Sequence, residues 1–236
     1  MEGDYELIVI KMKKVRILLL MLLIIVTKSY SQGELLYKGS SGVFSSYSYI
    51  SSDEASGWLG HLGYSYNGII DLGIGYGKSA LDNNTELNYL KWSIVQYSLS
   101  VYLNKGELDS NFVSFAISLS YSDITYKSDD VVYHSQGFYV IERTDKGYLI
   151  TPTFSPYLSF KLGYSAILQF FGSIGISLSN NTLYNKDGIL AFGFGFNVGI
   201  YLSPAILITT SPAFAVVEGN TSLGINIGLV ILTNKL

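Results

Sequence analysis

The 236-residue sequence contains no cysteine. That excludes a disulfide framework, a thiolate metal site, a cysteine nucleophile and a lipid-modified N-terminal cysteine. Charge is scarce as well: 14% of residues are charged, where about a quarter is usual for a soluble domain. With a net charge of −3 and no basic cluster beyond the N-terminus, nothing calls for a nucleic-acid partner. Proline is rare (4), whereas glycine (24) and tyrosine (20) are abundant. Aromatic richness with so little charge is the opposite of a disordered composition. No long helical pattern stands out after residue 31. The length suits one domain, because β-barrels routinely run to about 200–250 residues as a single unit.

The N-terminus has its own pattern. Met12-Lys13-Lys14-Val15-Arg16 is basic, residues 17–26 are an unbroken apolar run, and T-K-S-Y-S-Q follows with Ser29 and Ser31 placed for a signal peptidase. The layout predicts a secretory signal peptide over residues 1–31, cleaved after Ser31. Because M-E-G-D-Y-E-L is acidic for such a segment, Met12 is the alternative start. A membrane anchor is the other reading, but residues 17–26 fall short of the ~20 apolar residues that a spanning helix needs. Removing residues 1–31 takes away five basic and three acidic residues, leaving ten and fifteen, a net −5.

From residue 32 to 236 the dominant signal is alternation. In A-F-G-F-G-F-N-V-G-I-Y-L, residues 191–202, Phe192, Phe194, Phe196, Val198, Ile200 and Leu202 share one side, and glycines with Asn197 share the other. Residues 58–66 place Trp58, Leu62, Tyr64 and Tyr66 opposite His61, Gly63 and Ser65. Asn67-Gly68 then gives the strongest short hairpin signal, because a type I′ turn needs positive φ at both central residues. Period-2 runs recur at 69–77, 111–122, 150–162, 166–179, 205–217 and 221–232, with a weaker one at 42–50. Residues 88–103 change phase: Leu90, Trp92 and Ile94 are even, Tyr97, Leu99, Val101 and Leu103 odd. A β-bulge near Ile94-Val95 would restore one face. These runs make ten strands. Tight turns (67–68, 105–109, 163–165, 203–204) alternate with connections that are mostly longer and polar (81–87, 127–148, 180–188), and both termini fall at the tight-turn end. The stretch 127–148 reads as a hairpin extending beyond the membrane; if it spans instead, the count becomes twelve.

The polar side decides which way the apolar side faces. On a soluble barrel it would carry many charges, yet the strands hold only Asp71, Lys78, Lys91, Asp123 and Lys161. Gly, Ser, Thr and Asn suit a confined lumen, where unpaired charge is costly. Tyrosines gather toward strand ends, as interfacial girdles require. In hydrocarbon every backbone N–H and C=O must be paired, so lipid-facing strands must close on themselves. The expected fold is therefore all-β: a closed antiparallel transmembrane β-barrel of about ten strands over residues 32–236, with eight or twelve as the alternatives. A soluble secreted barrel is the competing class.

On the signal segment, the strand series and the turn asymmetry, the chain resembles small bacterial outer-membrane β-barrel proteins. The resemblance implies a place in the bacterial outer membrane, contact with its lipid and delivery by its assembly machinery. The chain departs from that class in ending G-L-V-I-L-T-N-K-L, without the aromatic that such proteins carry in their last strand.

Chemistry is sparse. His134 lies near Ser128, Asp129, Asp130 and Ser135, the residue types of a nucleophile, base and orienting acid, but a polar surface loop holds such residues anyway. His61 shares a predicted lumen face with Ser65, ~13 Å along the strand and beyond hydrogen-bond reach. A hydrogen-bonded lumen histidine is the favoured reading. Asp53-Glu54 and the stretch Asp82 to Glu86 carry oxygens that a hard cation accepts, or are solvated loops. Gly73-x-Gly75-x-Gly77 opens no helix and is not a phosphate loop. No cofactor or metal is expected. Surface proteases of ten strands match the strand count, but their paired acids and His-Asp pair find no match here. The residues expected to govern permeation are His61, Asp71, Lys91, Asp123, Tyr157 and Lys161. A barrel this narrow leaves either a thin water path or a lumen filled by residues 32–41 or by the long loop. The preferred reading is a non-enzymatic outer-membrane barrel, either a porin-like narrow pore or a structural or surface-interaction protein. A membrane-embedded surface hydrolase or acyltransferase is the second class.

Overall fold

The computed structural model describes residues 35–52, 55–81, 91–106, 111–134, 137–163, 165–179, 188–217 and 220–234. The expected signal peptide, Asp53-Glu54, the stretch 82–90, Ser135 and residues 180–187 lie outside the described residues. Ten strands form: β1 (Gly42–Ser51), β2 (Ala55–Tyr66), β3 (Ile70–Leu81), β4 (Lys91–Leu103), β5 (Phe112–His134), β6 (Gly137–Leu162), β7 (Ala166–Ser179), β8 (Ile189–Ser203), β9 (Ile206–Val217) and β10 (Asn220–Leu232). Each pairs antiparallel with its sequence neighbours, and β1 pairs with β10, which closes the barrel.

The alternation faces outward with its apolar side. On β8, Phe192, Phe194 and Phe196 are 48, 57 and 40% exposed, while Asn197 is fully buried. Leaving such side chains in water would forfeit ~1.5–3 kcal/mol each, and the same pattern covers every strand. Lipid is the solvent that makes this surface stable. Tyr64 and Tyr66 mark one edge of the band, and Tyr47, Tyr49, Trp58, Tyr76, Tyr97 and Tyr121 mark the other. Trp58 and Tyr66 lie eight residues apart on β2, ~27 Å along the strand and roughly 20 Å in height at a ~40° tilt, a span suited to a thin bilayer.

The Asn67-Gly68 turn takes positive φ at both residues, 53° and 64°, which matches the twist of its flanking strands. The segment that leads into β1 and the residues that follow β10 meet at this end. The Thr233 amide donates to the Ser41 carbonyl at 2.8 Å, and the Ser41 amide donates to Asn234 Oδ1 at 3.1 Å. At the opposite end β5 and β6 outrun their neighbours. The pairing Lys91↔Lys127 ends the β4 contact, and Leu149↔Ser179 ends the β7 contact. Among the described residues, Ser128 to His134 therefore pairs only with Gly137 to Arg143, as a two-stranded ribbon. At ~3.3 Å per residue its seven-residue arm reaches roughly 23 Å past β4.

Three expectations need correction. No bulge occurs near Ile94-Val95: β4 keeps one unbroken register with β3 and β5 from Lys91 to Val101. The register shift falls instead between Tyr201 and Ser203 on β8. Lys91 and Asp123 do not line the lumen. Both are exposed and outward, in phase with Tyr97 and Tyr121. The common cause is height. Above the tyrosine girdle the outside is wet and the inside is the apolar core, so the polarity of the two faces inverts. There Ile50, Leu59, Trp92, Ile94, Ile124, Tyr126 and Leu149 point inward, all 0–3% exposed.

Candidate functional site

The lumen is the natural place to look for function, and side chains fill much of it. Glycines on one strand act as sockets for rings on the next. A Cβ at Gly63 would collide with the Phe44 ring, and one at Gly73 with the His61 ring. Phe44 and His61 stack at 5.6 Å between centroids. The His61 Nε2 lies 3.3 Å from the Ser98 hydroxyl and is not paired with Ser65. Deeper in the barrel, Asn197 Nδ2 donates to Gln169 Oε1 at 2.7 Å and Gln169 Nε2 donates to the Ser159 hydroxyl at 2.8 Å. Asn226 Nδ2 donates to the Ser48 hydroxyl at 2.8 Å. All these amides and Ser48 are 0% exposed. The hydroxyls of Ser46, Ser65, Ser114, Ser120 and Ser222 are buried and reach no hydrogen-bond partner among the described residues. Buried hydroxyls of that kind are satisfied by internal water.

The tight-turn mouth is closed by the segment that precedes β1. Leu35, Leu36 and Tyr37 are 2, 0 and 3% exposed. They pack with Phe44, Ile167, Leu207, Val230 and Leu232, and against Phe112 and Tyr201. Those partners come from β1, β5, β7, β8, β9 and β10, so the segment sits across the barrel axis. Lys105, in the β4–β5 turn, donates from Nζ to the Leu36 carbonyl at 2.9 Å and lies 4.2 Å from the Tyr102 ring centroid. The Lys38 amide donates to the Gly106 carbonyl at 3.0 Å and the Gly39 amide to the Asn67 carbonyl at 2.9 Å. A side chain at Gly68 would strike the Tyr37 carbonyl, so that glycine serves both its turn and the close approach of the plug.

Of the candidate residues, the structure turns His61, Asp71, Tyr157 and Lys161 inward. Asp71 is 3% exposed and accepts from the Tyr102 hydroxyl at 3.3 Å. Tyr157 lies 6.1 Å from the Tyr102 ring and 6.0 Å from Phe171. Asp71, Tyr102, Tyr157 and Lys105 thus form one group just above the plug. Lys161 stands half-buried at the same mouth, its amide donating to Asn111 Oδ1 at 3.0 Å. Asp123, on the outer wall, accepts from the Tyr121 hydroxyl at 2.7 Å. His134 pairs with Gly137 at the far tip of the β5–β6 ribbon, while Ser128 pairs with Arg143 six positions below. That leaves His134 and His61 at different levels of the barrel. Residues 32–41 are one of the two segments expected to fill the lumen, although Leu35–Tyr37 carries no period, only a short apolar run; Lys105 is one lysine in a turn. Among the described residues, no group of three or more His, Asp or Glu could hold a metal ion.

No family model matches the chain, and no curated protein matches its sequence. Among solved structures, the chain is similar to the translocator domain of the autotransporter NalP from Neisseria meningitidis, at 10% identity and a TM-score of 0.46, with 97% of each chain covered. It is also similar to the β domain of the Bordetella autotransporter BrkA, at 10% identity and a TM-score of 0.48, covering 81% of this chain and 98% of that one. A third is the attachment invasion locus protein Ail of Yersinia pestis, at 10% identity and a TM-score of 0.36, covering 83% and 99%. Likenesses this distant carry no argument about activity, and the barrel rests on its own strand register. The chain is a closed, ten-stranded, antiparallel β-barrel that turns its apolar face outward.

Proposed function

We propose that the protein sits in the bacterial outer membrane as a closed, non-conducting barrel and acts through its exposed surface, with residues 1–31 as the export signal. The observation that carries this reading is the plug: Leu36 is wholly buried in the mouth of the barrel and its carbonyl is held by Lys105. Packed glutamine and asparagine amides above it leave little room for a hydrated ion. At the end of the barrel opposite this closed mouth, the β5–β6 ribbon extends beyond the described ends of β4 and β7 and is the surface assigned here to a partner.

The test is single-channel recording of residues 32–236 refolded into a planar bilayer, with a heat-modifiability gel to establish folding. Folded barrels without discrete current steps are expected. Reproducible steps from the intact protein would overturn the reading in favour of a narrow pore.

A further inference from the structure

The outer wall carries a feature that a lipid-facing surface does not need. On strand positions whose side chains are described, outward charges occur only on β3–β6: Lys78, Lys91, Lys127 and Lys146, with Asp123 as the single acid. The register arranges the lysines in two adjacent rows. One row runs Trp58–Lys78–Ser93–Thr125–Lys146 and the next runs Ser56–Ala80–Lys91–Lys127–Thr144. Tyr76 lies two residues below Lys78 on the same face, at the edge of the aromatic girdle. The lysines therefore stand at headgroup height, on the end of the barrel that bears the ribbon.

A groove of about 780 Å³ opens along these rows, with Tyr49, Trp58, Tyr76, Lys78, Lys91 and Lys127 in its wall. Trp58 and Tyr76 meet edge to face at 6.0 Å. The Lys78 ammonium lies 6.0 Å from the Tyr76 ring centre. Lys91 and Lys127 are direct cross-strand partners, with Cα atoms ~5 Å apart. Lysine presents a compact, rotatable charge suited to phosphate oxygens, and an aromatic floor suits the apolar side of a headgroup.

We propose that this groove binds the phosphorylated headgroup of a membrane lipid in the leaflet on the ribbon side. A phosphate group sits between Lys91 and Lys127, Lys78 and Lys146 flank it, and the acyl chains descend over Tyr76 and the apolar band. The assignment rests on the barrel lying in a bilayer and is independent of whether the lumen conducts.

The test is native mass spectrometry of folded residues 32–236 released from detergent after incubation with diphosphorylated lipid A, with dephosphorylated lipid A, or with inorganic phosphate alone. The wild-type protein should retain the diphosphorylated lipid, release the dephosphorylated one, and hold inorganic phosphate at least tenfold more weakly than the lipid. Lys91→Gln with Lys127→Gln should lower retention of the phosphorylated lipid at least tenfold. Lys78→Gln alone should lower it less, and Lys161→Gln, inside the barrel, should leave it unchanged. Heat modifiability confirms that each variant is folded, and Lys78→Gln keeps the test open if the double variant is not. Equal retention of the two lipids would overturn the proposal, as would an unchanged double variant or inorganic phosphate binding as tight as the lipid.

Discussion

Replacing Leu36 by alanine tests the plug most sharply. The side chain is 0% exposed and packs among Leu35, Phe44, Ile167, Leu207, Val230 and Leu232. A Leu→Ala change at such a site costs about 2–5 kcal/mol, from lost transfer energy and the cavity left behind. The β-strands do not depend on Leu36 for their hydrogen bonds, so the loss falls on docking of the segment rather than on the barrel. Docking is visible at two amides, Lys38 to the Gly106 carbonyl and Gly39 to the Asn67 carbonyl, which become exposed when the segment leaves. Hydrogen exchange at Lys38 and Gly39 should therefore accelerate at least about thirtyfold, the factor that 2 kcal/mol commands. Amides at mid-strand, such as Gln96, should exchange as before. Exchange at Lys38 and Gly39 unchanged within a few-fold, in a variant that still folds, would refute the reasoning.

Other perturbations separate the remaining parts. Gly68→Ala places a Cβ at φ 64° and against the Tyr37 carbonyl; it should lower stability by about 1–3 kcal/mol, read as a shift in the urea midpoint in lipid vesicles. Phe194→Lys puts a charge on the lipid face where Phe194 stacks on Phe214 at 5.5 Å. A loss of about 2–4 kcal/mol is expected near mid-bilayer, against less than about 0.5 kcal/mol for Lys78→Ala in the wet row. Asn197→Leu removes the donor to Gln169 Oε1; leaving that buried amide short of a partner should cost about 1–3 kcal/mol by the same unfolding assay.

Most of the barrel could be read from the residue order because its two solvents differ so much. Phe192, Phe194 and Phe196 against glycines, and Leu223 through Ile231 in phase on β10, state their faces wherever lipid lies outside. The reading failed where strands outlast the bilayer. At Lys91-Trp92-Ser93-Ile94 the outward positions are polar and the inward ones apolar, which imitates a bulge to anyone who assumes lipid throughout. Asp123 went astray for the same reason, although it follows Tyr121 in strict phase. The glycine faces also hid their meaning: opposite Phe44 and His61 they are sockets, not open lumen. Leu35, Leu36 and Tyr37 gave no periodic signal, since their burial is decided by six strands far away in sequence. Lys105 became meaningful only once its turn was folded over the Leu36 carbonyl.

The inside-out barrel itself can be tested with the two tryptophans of the chain. Trp58 points outward at 36% exposure, and Trp92 points inward at 2% and at nearly the same height. In vesicles of lipid brominated near the carbonyl end of the acyl chains, the fluorescence of a Trp92→Phe variant, which keeps Trp58, should be strongly quenched. A Trp58→Phe variant, which keeps Trp92, should be quenched little by brominated lipid or by aqueous acrylamide. Strong quenching of Trp92 by the lipid, with Trp58 spared, would mean that the apolar face is not the face that meets the membrane.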